Sequence, residues 1–135
     1  MLETEITIER PLATVWKYFT DFKTWKRWWG GELKSAQWRK GGKLVWTLGG
    51  SSEILDITPG QVVIIRGSWM DTRWEFEAAG PTSTRVRIIT SAPRGGAYFS
   101  DGGASYLAEM RNSLRRLKQC VETETSQKRW WEFWK

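Results

Sequence analysis

Histidine is missing altogether from this chain. Its absence removes the commonest general base near neutral pH, the usual serine–histidine and cysteine–histidine nucleophile pairs, and the commonest zinc ligand. Cysteine occurs once, at Cys120. One thiol excludes an intramolecular disulfide and a multi-thiolate metal site, suits a reducing cytosol, and reads as a small buried hydrophobe. Long apolar runs are missing too. No stretch approaches the roughly 18 residues of a transmembrane helix. The opening MLETEITIERP lacks the basic and apolar regions of a secretory signal. These absences predict a cytoplasmic protein that uses no metal and no cofactor.

What is present fits one domain of 135 residues. The 21 Lys and Arg outnumber the 15 Asp and Glu, leaving +6, but the charges are spread along the chain. The densest basic cluster, RNSLRRLK, alternates with apolar residues at helical spacing and reads as a solvated helix face, so no nucleic-acid partner is expected. Two Gly-Gly pairs in GGKLVWTLGGSSE fall between strands instead of leading from a strand into a helix, and so read as turns, not as a phosphate loop.

Ile6 and Ile8 alternate with polar residues in ETEITIE, as in a half-buried strand ending near Arg10. Pro11 then stands where a helix can begin. Leu12, Val15, Trp16 and Phe19 recur at three- and four-residue steps, and Asp21 is placed to cap a second short helix reaching Trp28, which Gly30 and Gly31 end. Six strands follow, at about 33–39, 43–48, 52–58, 61–69, 72–79 and 84–91, separated by turn residues. SAPRGGAYFSDGG reads as a loop. In ASYLAEMRNSLRRLKQCVE, Leu107, Met110, Leu114, Leu117 and Val121 form one apolar stripe of a long helix, suited to covering the apolar face of the sheet. The predicted class is α+β: one strand, two short helices, six antiparallel strands and a C-terminal helix.

Particular residues in this order resemble a known family. ITIERPLATVWKYFTDFKTWKRWWGG is similar to the opening of the START-like (SRPBCC) domains. It is closest there to the group named after the activator homologue of the heat-shock-protein-90 ATPase, in which the second helix ends in the motif formed here by Trp28, Trp29 and Gly30. ILDITPGQVVIIRGSW and FEAAGPTSTRVRI resemble later strands and turns of that group, and the C-terminal helix corresponds to its lid helix. Gly31 departs from the proline common at that position. The resemblance covers about residues 4–122. It implies a helix-grip fold, a curved sheet of about seven strands around the long helix, with a cavity between them that holds an apolar or amphipathic ligand such as a lipid. Residues 1–122 form this domain, and 123–135 an aromatic and basic tail.

Strand alternation gives a guess at the cavity lining. Leu44, Trp46 and Leu48 share one face, Ile54 and Asp56 oppose Glu53, Leu55 and Ile57, and both faces of 61–69 are partly apolar. Trp74, Phe76, Val86 and Ile88 face inward. The expected ligand-binding set is Trp28, Trp29, Trp46, Trp74, Phe76, Val86, Ile88, Tyr106, Met110 and Leu114, each of which also suits plain core packing. Glu53, Asp56, Glu75, Glu77, Arg66, Arg73 and Arg87 are placed to pair across strands on the solvated face.

Three functions stand open: a small-molecule binding domain; a partner-binding protein, such as the chaperone accessory implied by the group name and a link to stress response; and an enzyme of the cyclase or hydratase kind. Without histidine, the enzyme would need Glu, Asp, Tyr98 or Tyr106 as acid or base. No catalytic residue is assigned. In the tail, Trp130, Trp131, Phe133 and Trp134 beside Lys128, Arg129 and Lys135 suit docking onto the same chain, a homodimer, contact with a membrane surface, or disorder.

Overall fold

The computed structural model describes residues 2–67, 70–91 and 104–133, with side chains up to residue 125. Trp69, Tyr98 and the loop SAPRGGAYFSDGG beyond Ser91 lie outside the described residues, as do the side chains of Trp130, Trp131, Phe133 and Trp134. The elements follow the order β1 (Leu2–Ile8), α1 (Leu12–Phe19), a 3-10 turn (Phe22–Thr24), α2 (Trp25–Trp28), β2 (Leu33–Ala36), β3 (Lys43–Trp46), β4 (Ser51–Thr58), β5 (Val62–Arg66), β6 (Asp71–Gly80), β7 (Ser83–Ser91) and α3 (Ala104–Phe133). The strands form one antiparallel sheet in the order β1-β7-β6-β5-β4-β3-β2, so each strand after β2 pairs with its predecessor in sequence and β1 closes onto β7. This is the helix-grip arrangement.

Local chemistry sets the joints. Pro11 holds φ at −59° before the first turn of α1, and its carbonyl accepts from Thr14 N–H at 3.0 Å and Val15 N–H at 3.1 Å. The Asp21 carboxylate accepts from Lys23 N–H at 3.2 Å, capping the turn that leads into α2.

Two sequence expectations give way to local geometry. β3 ends at Trp46, because Gly49 and Gly50, at φ of 105° and 84°, turn the chain back at once. Leu48 therefore lies beyond the strand, fully exposed, and does not share a buried face with Leu44 and Trp46. In β4 a register shift at Leu55 pairs Ile54 with Ile65 and Ile57 with Val63. Ile57 thus joins Ile54 at the core instead of opposing it. Strict alternation fails there because the extra residue of a bulge turns the following side chains over.

On the outer face several of the charged residues expected there form ion pairs, though not Glu53 or Asp56 among the described residues. Arg87 lies 3.4 Å from Glu3, 3.3 Å from Glu5 and 3.5 Å from Glu75, while Arg73 meets Glu75 at 2.7 Å and Arg85 meets Glu77 at 3.3 Å. Being solvated, each such pair contributes at most about 1 kcal/mol.

On the inner face Val63, Trp74, Phe76, Val86 and Ile88 join Met110, Leu114, Leu117 and Val121 of α3 in one buried core with Val15 and Phe19 of α1. Polar links fix the C-terminal half of α3. Lys118 Nζ donates to Thr7 O at 2.9 Å, Arg116 Nε to Trp28 O at 3.2 Å, and Arg10 Nε to Thr125 Oγ1 at 2.9 Å. Glu124 accepts from the Tyr18 hydroxyl and from Arg27. The helix runs through residue 122 without a break.

Glu122 accepts from Glu9 N–H at 2.8 Å and from Lys118 at 2.6 Å. Burial alone would push its carboxyl up, but these hydrogen bonds, with the charges of Lys118 and Arg10, hold it below the usual glutamate value. A carboxyl lowered on folding stabilises the fold above its unfolded pKa of about 4.3, and that stability is lost as pH falls through the lower folded value. Glu122→Gln is therefore expected to be less stable than wild type near neutral pH, with the gap closing in urea titrations taken from about pH 6 to about pH 3. Parallel pH profiles for the two proteins would show that the carboxylate carries no such role.

Candidate functional site

A cleft of about 270 Å³ lies on the inner face of the sheet, away from the part filled by the buried stripe of α3. β3 contributes Leu44 and Trp46, β4 Ser52, β5 Ile65, and β6 Thr72 and Trp74, with Gly67 and Met70 between β5 and β6. Trp25 and Trp29 enter from α2 and its C-terminal cap, and Tyr106 from the first turn of α3.

The space has a physical cause. α3 packs chiefly on β1, α1 and α2. A straight helix bound along one side of a curved sheet leaves the other side to be covered by shorter pieces. Among the described residues the four-residue α2 supplies part of that cover.

Four of the chain's eleven tryptophans line this cleft. Their rings meet nearly edge to face: Trp25 with Trp29 at 5.7 Å and 62°, Trp25 with Trp46 at 6.2 Å and 69°, Trp25 with Trp74 at 6.1 Å and 62°, and Trp29 with Trp74 at 5.8 Å and 61°. This is the packing that a ring quadrupole favours. Two of the indole donors are used internally, Trp25 Nε1 by Phe19 O at 2.7 Å and Trp46 Nε1 by Ser52 Oγ at 3.2 Å. The lining is otherwise apolar apart from the hydroxyls of Ser52, Thr72 and Tyr106, and among the described residues it holds no charged side chain.

Of the ten residues expected from sequence, Trp29, Trp46, Trp74 and Tyr106 border the cleft. Trp28, Phe76, Val86, Ile88, Met110 and Leu114 are instead buried in the core. The reason is that α1 and the buried stripe of α3 pack over these residues in one core. Phe76, for example, meets Phe19 at 4.9 Å and Trp16 at 5.1 Å.

Trp25, Leu44, Ser52, Ile65, Gly67, Met70 and Thr72 lie outside the ligand-binding set expected from sequence. Alternation carried a signal for several of them. Thr72 is two residues from Trp74 and Ser52 two from Ile54, so each shares its neighbour's inward face. Trp25 is hidden because a helical tryptophan followed by two more gives no sign of which ring reaches the sheet.

Residues 1–122 match the profile of the family described as polyketide cyclase/dehydrase and lipid transport. The chain belongs to that family. The match covers the sheet, α1, α2 and α3 past Val121 of its buried stripe. Solved structures share this family's fold at low sequence identity. A conserved protein of unknown function from Enterococcus faecalis superposes with a TM-score of 0.71 at 19% identity, over 88% of this chain and 69% of its own. A protein from Nitrosomonas europaea gives 0.70 at 15%, over 93% and 96%. A protein of the dynemicin biosynthetic locus gives 0.73 at 19%, over 91% of this chain but only 47% of its own. No sequence among curated proteins matches. Among the described residues no helix is long and apolar enough to cross a membrane.

Proposed function

We propose that the protein binds one apolar or amphipathic small molecule in the cleft, with Trp25, Trp29, Trp46, Trp74 and Tyr106 as its contacts. The observation that carries this reading is a concave space walled by four indoles beside the packed core of the inner face. A concave, mostly apolar pocket with a few polar groups is the usual form of a small-molecule site. The lining supports binding over proton-transfer catalysis, since among the described residues Tyr106 is its single ionisable side chain. The finer assignment, to the group named after the activator homologue of the heat-shock-protein-90 ATPase, rests on Trp28, Trp29 and Gly30 at the end of α2 and on the proline-led turn after β4. We place the binding unit in residues 1–122 and the protein in the cytoplasm, where a single free thiol is at home.

Native mass spectrometry of the purified protein, together with titration of a neutral environment-sensitive dye such as N-phenyl-naphthylamine, tests this reading. The expected result is saturable uptake of one dye per chain with quenching of tryptophan emission. Trp46 is only half-buried, so Trp46→Leu should keep the fold and weaken the dye by about tenfold, equivalent to the ~1.4 kcal/mol of one lost ring contact. No saturable uptake, combined with no co-purified molecule, would end the small-molecule reading.

A further inference from the structure

The charges are spread along the chain but not across the fold. Residues 11–31 and 104–135, the segments that hold the helices, carry 11 Lys and Arg against 5 Asp and Glu and so account for the whole +6, whereas the rest of the chain carries 10 of each. We propose that the helical side of the protein, together with the aromatic turns of α3 beyond Thr125, docks onto the surface of an anionic lipid bilayer. The proposal does not depend on what the cleft binds.

Two observations carry it, and the first is where the cations stand. Lys17 in the last turn of α1, Lys23 in the 3-10 turn, and Lys26 and Arg27 in α2 are all exposed, as are Arg111, Arg115 and Arg116 of α3. These elements meet one another, since Arg27 and the hydroxyl of Tyr18, the neighbour of Lys17, both bond to Glu124 of α3. The outer face of the sheet differs, because its arginines are matched by acids: Arg73 by Glu75, Arg85 by Glu77, and Arg87 by Glu3, Glu5 and Glu75. Positive charge gathered on one side turns a protein toward a negative surface, at about a fivefold gain in binding for each Lys or Arg close to it.

The phase of α3 is the second. Met110, Leu114, Leu117 and Val121 are its buried line, and Glu124 and Thr125 continue that line by bonding to Tyr18 and Arg10. Steps of three and four residues carry the line on to positions 128 and 132, which are Lys and Glu. The backbone stays helical to Phe133, about 12 Å past Thr125. Trp130, Trp131 and Phe133 occupy positions off the line, so they do not prolong the core stripe but give α3 a second apolar sector, with Lys128, Arg129 and Glu132 in the sector between. Tryptophan with Lys and Arg on one short amphipathic helix suits the headgroup region of a bilayer, where an indole keeps its ring in apolar surroundings and its N–H near water or phosphate. A second copy of the chain is the poorer fit. Symmetric pairing through this sector would bring two positively charged sides together.

Co-sedimentation of the full chain with vesicles tests the proposal, using phosphatidylcholine alone and phosphatidylcholine with about 30% phosphatidylglycerol. The partition coefficient is expected to be at least about tenfold higher on the anionic vesicles and to fall severalfold when salt is raised from about 0.1 M to about 0.5 M. Lys17→Glu with Lys23→Glu, and separately Trp130→Ser with Trp131→Ser, should each lower it at least about tenfold while leaving the urea midpoint unchanged. Equal binding to the two kinds of vesicle would overturn the role of charge and the proposal with it. Undiminished binding by the tryptophan variant would overturn the part given to α3. A lower urea midpoint in that variant would place its residues against their own domain and would count equally against docking. Absence of binding to either vesicle would overturn the proposal outright, and a dimer that the tryptophan variant makes monomeric would then assign the aromatic turns to contact between copies.

Discussion

Trp28→Ala is expected to destabilise the protein by about 3 to 5 kcal/mol, the range for deleting a large aromatic side chain from a packed interior. Trp28 is fully buried at the end of α2 and touches four other rings: Trp25 at 4.6 Å, Trp74 at 5.6 Å, Phe19 at 5.8 Å and Trp29 at 5.9 Å. Its Nε1 reaches Thr24 Oγ1 at 3.4 Å, and that hydroxyl in turn donates to the carbonyl of Tyr18 at 2.9 Å. Alanine would empty the middle of this ring cluster. A helix of four residues has too little hydrogen bonding of its own to hold its place once its anchor is gone. The loss is therefore expected to show twice in one set of measurements. The urea midpoint should fall, and dye affinity should fall with it, because Trp25 and Trp29 leave the cleft with the helix. Trp28→Phe, which keeps one ring in the hole, should recover part of both. Stability within about 1 kcal/mol of wild type for the alanine variant would mean that Trp28 is not the anchor of α2.

The second large effect is expected at Leu114, in the middle of the apolar stripe of α3 and only 1% exposed. Leu114→Ala should cost about 2 to 5 kcal/mol, lost transfer energy plus the cavity left between helix and sheet. The environment argues for the upper part of that range. Met110, Leu117 and Val121 on the same stripe are equally buried, and Lys118 and Arg116 tie the helix to β1 and α2. The helix is thus held on both sides of the deletion and cannot settle into the hole. Folded domains are stable by only about 5 to 15 kcal/mol, so a loss of this size lowers the thermal midpoint by many degrees. A change under about 0.5 kcal/mol in urea unfolding would contradict the placement of this stripe at the centre of the core.

The two substitutions separate the halves of the inner face. Leu114 lies where α3 closes fully on the sheet, and its loss should lower stability with a smaller effect on dye binding per kcal/mol lost. Trp28 lies where α2 holds the wall of the cleft, and its loss should affect both. The contrast tests the geometry that distinguishes packed core from cleft.

Much of this was legible in the chain. Periods of two and of three to four residues fix strands and helices, and the Gly-Gly pairs and Pro59-Gly60 mark the turns. These are local signals, because they arise from backbone sterics and from which side of one element is apolar. Ile6, Ile8, Trp74, Phe76, Val86 and Ile88 could be oriented without knowing their neighbours. The absence of histidine and the single cysteine likewise narrowed the chemistry before any fold was known.

Tertiary structure alone decided which inward residues are core and which line a cleft. Both kinds are apolar or aromatic and face the same way, so no pattern along the chain separates Phe76 from Trp74. The difference is where α1, α2 and α3 lie over the sheet, and that depends on contacts between residues about a hundred positions apart, such as Lys118 with Thr7 and Arg116 with Trp28. The bulge at Leu55 belongs to the same class, since it exists only in the pairing of β4 with β5. Sequence determined the elements and their apolar faces because those are properties of short segments. The cleft, with Trp25 and Thr72 in its wall, is formed by residues from α2, α3 and four strands, and that exists only once distant segments meet.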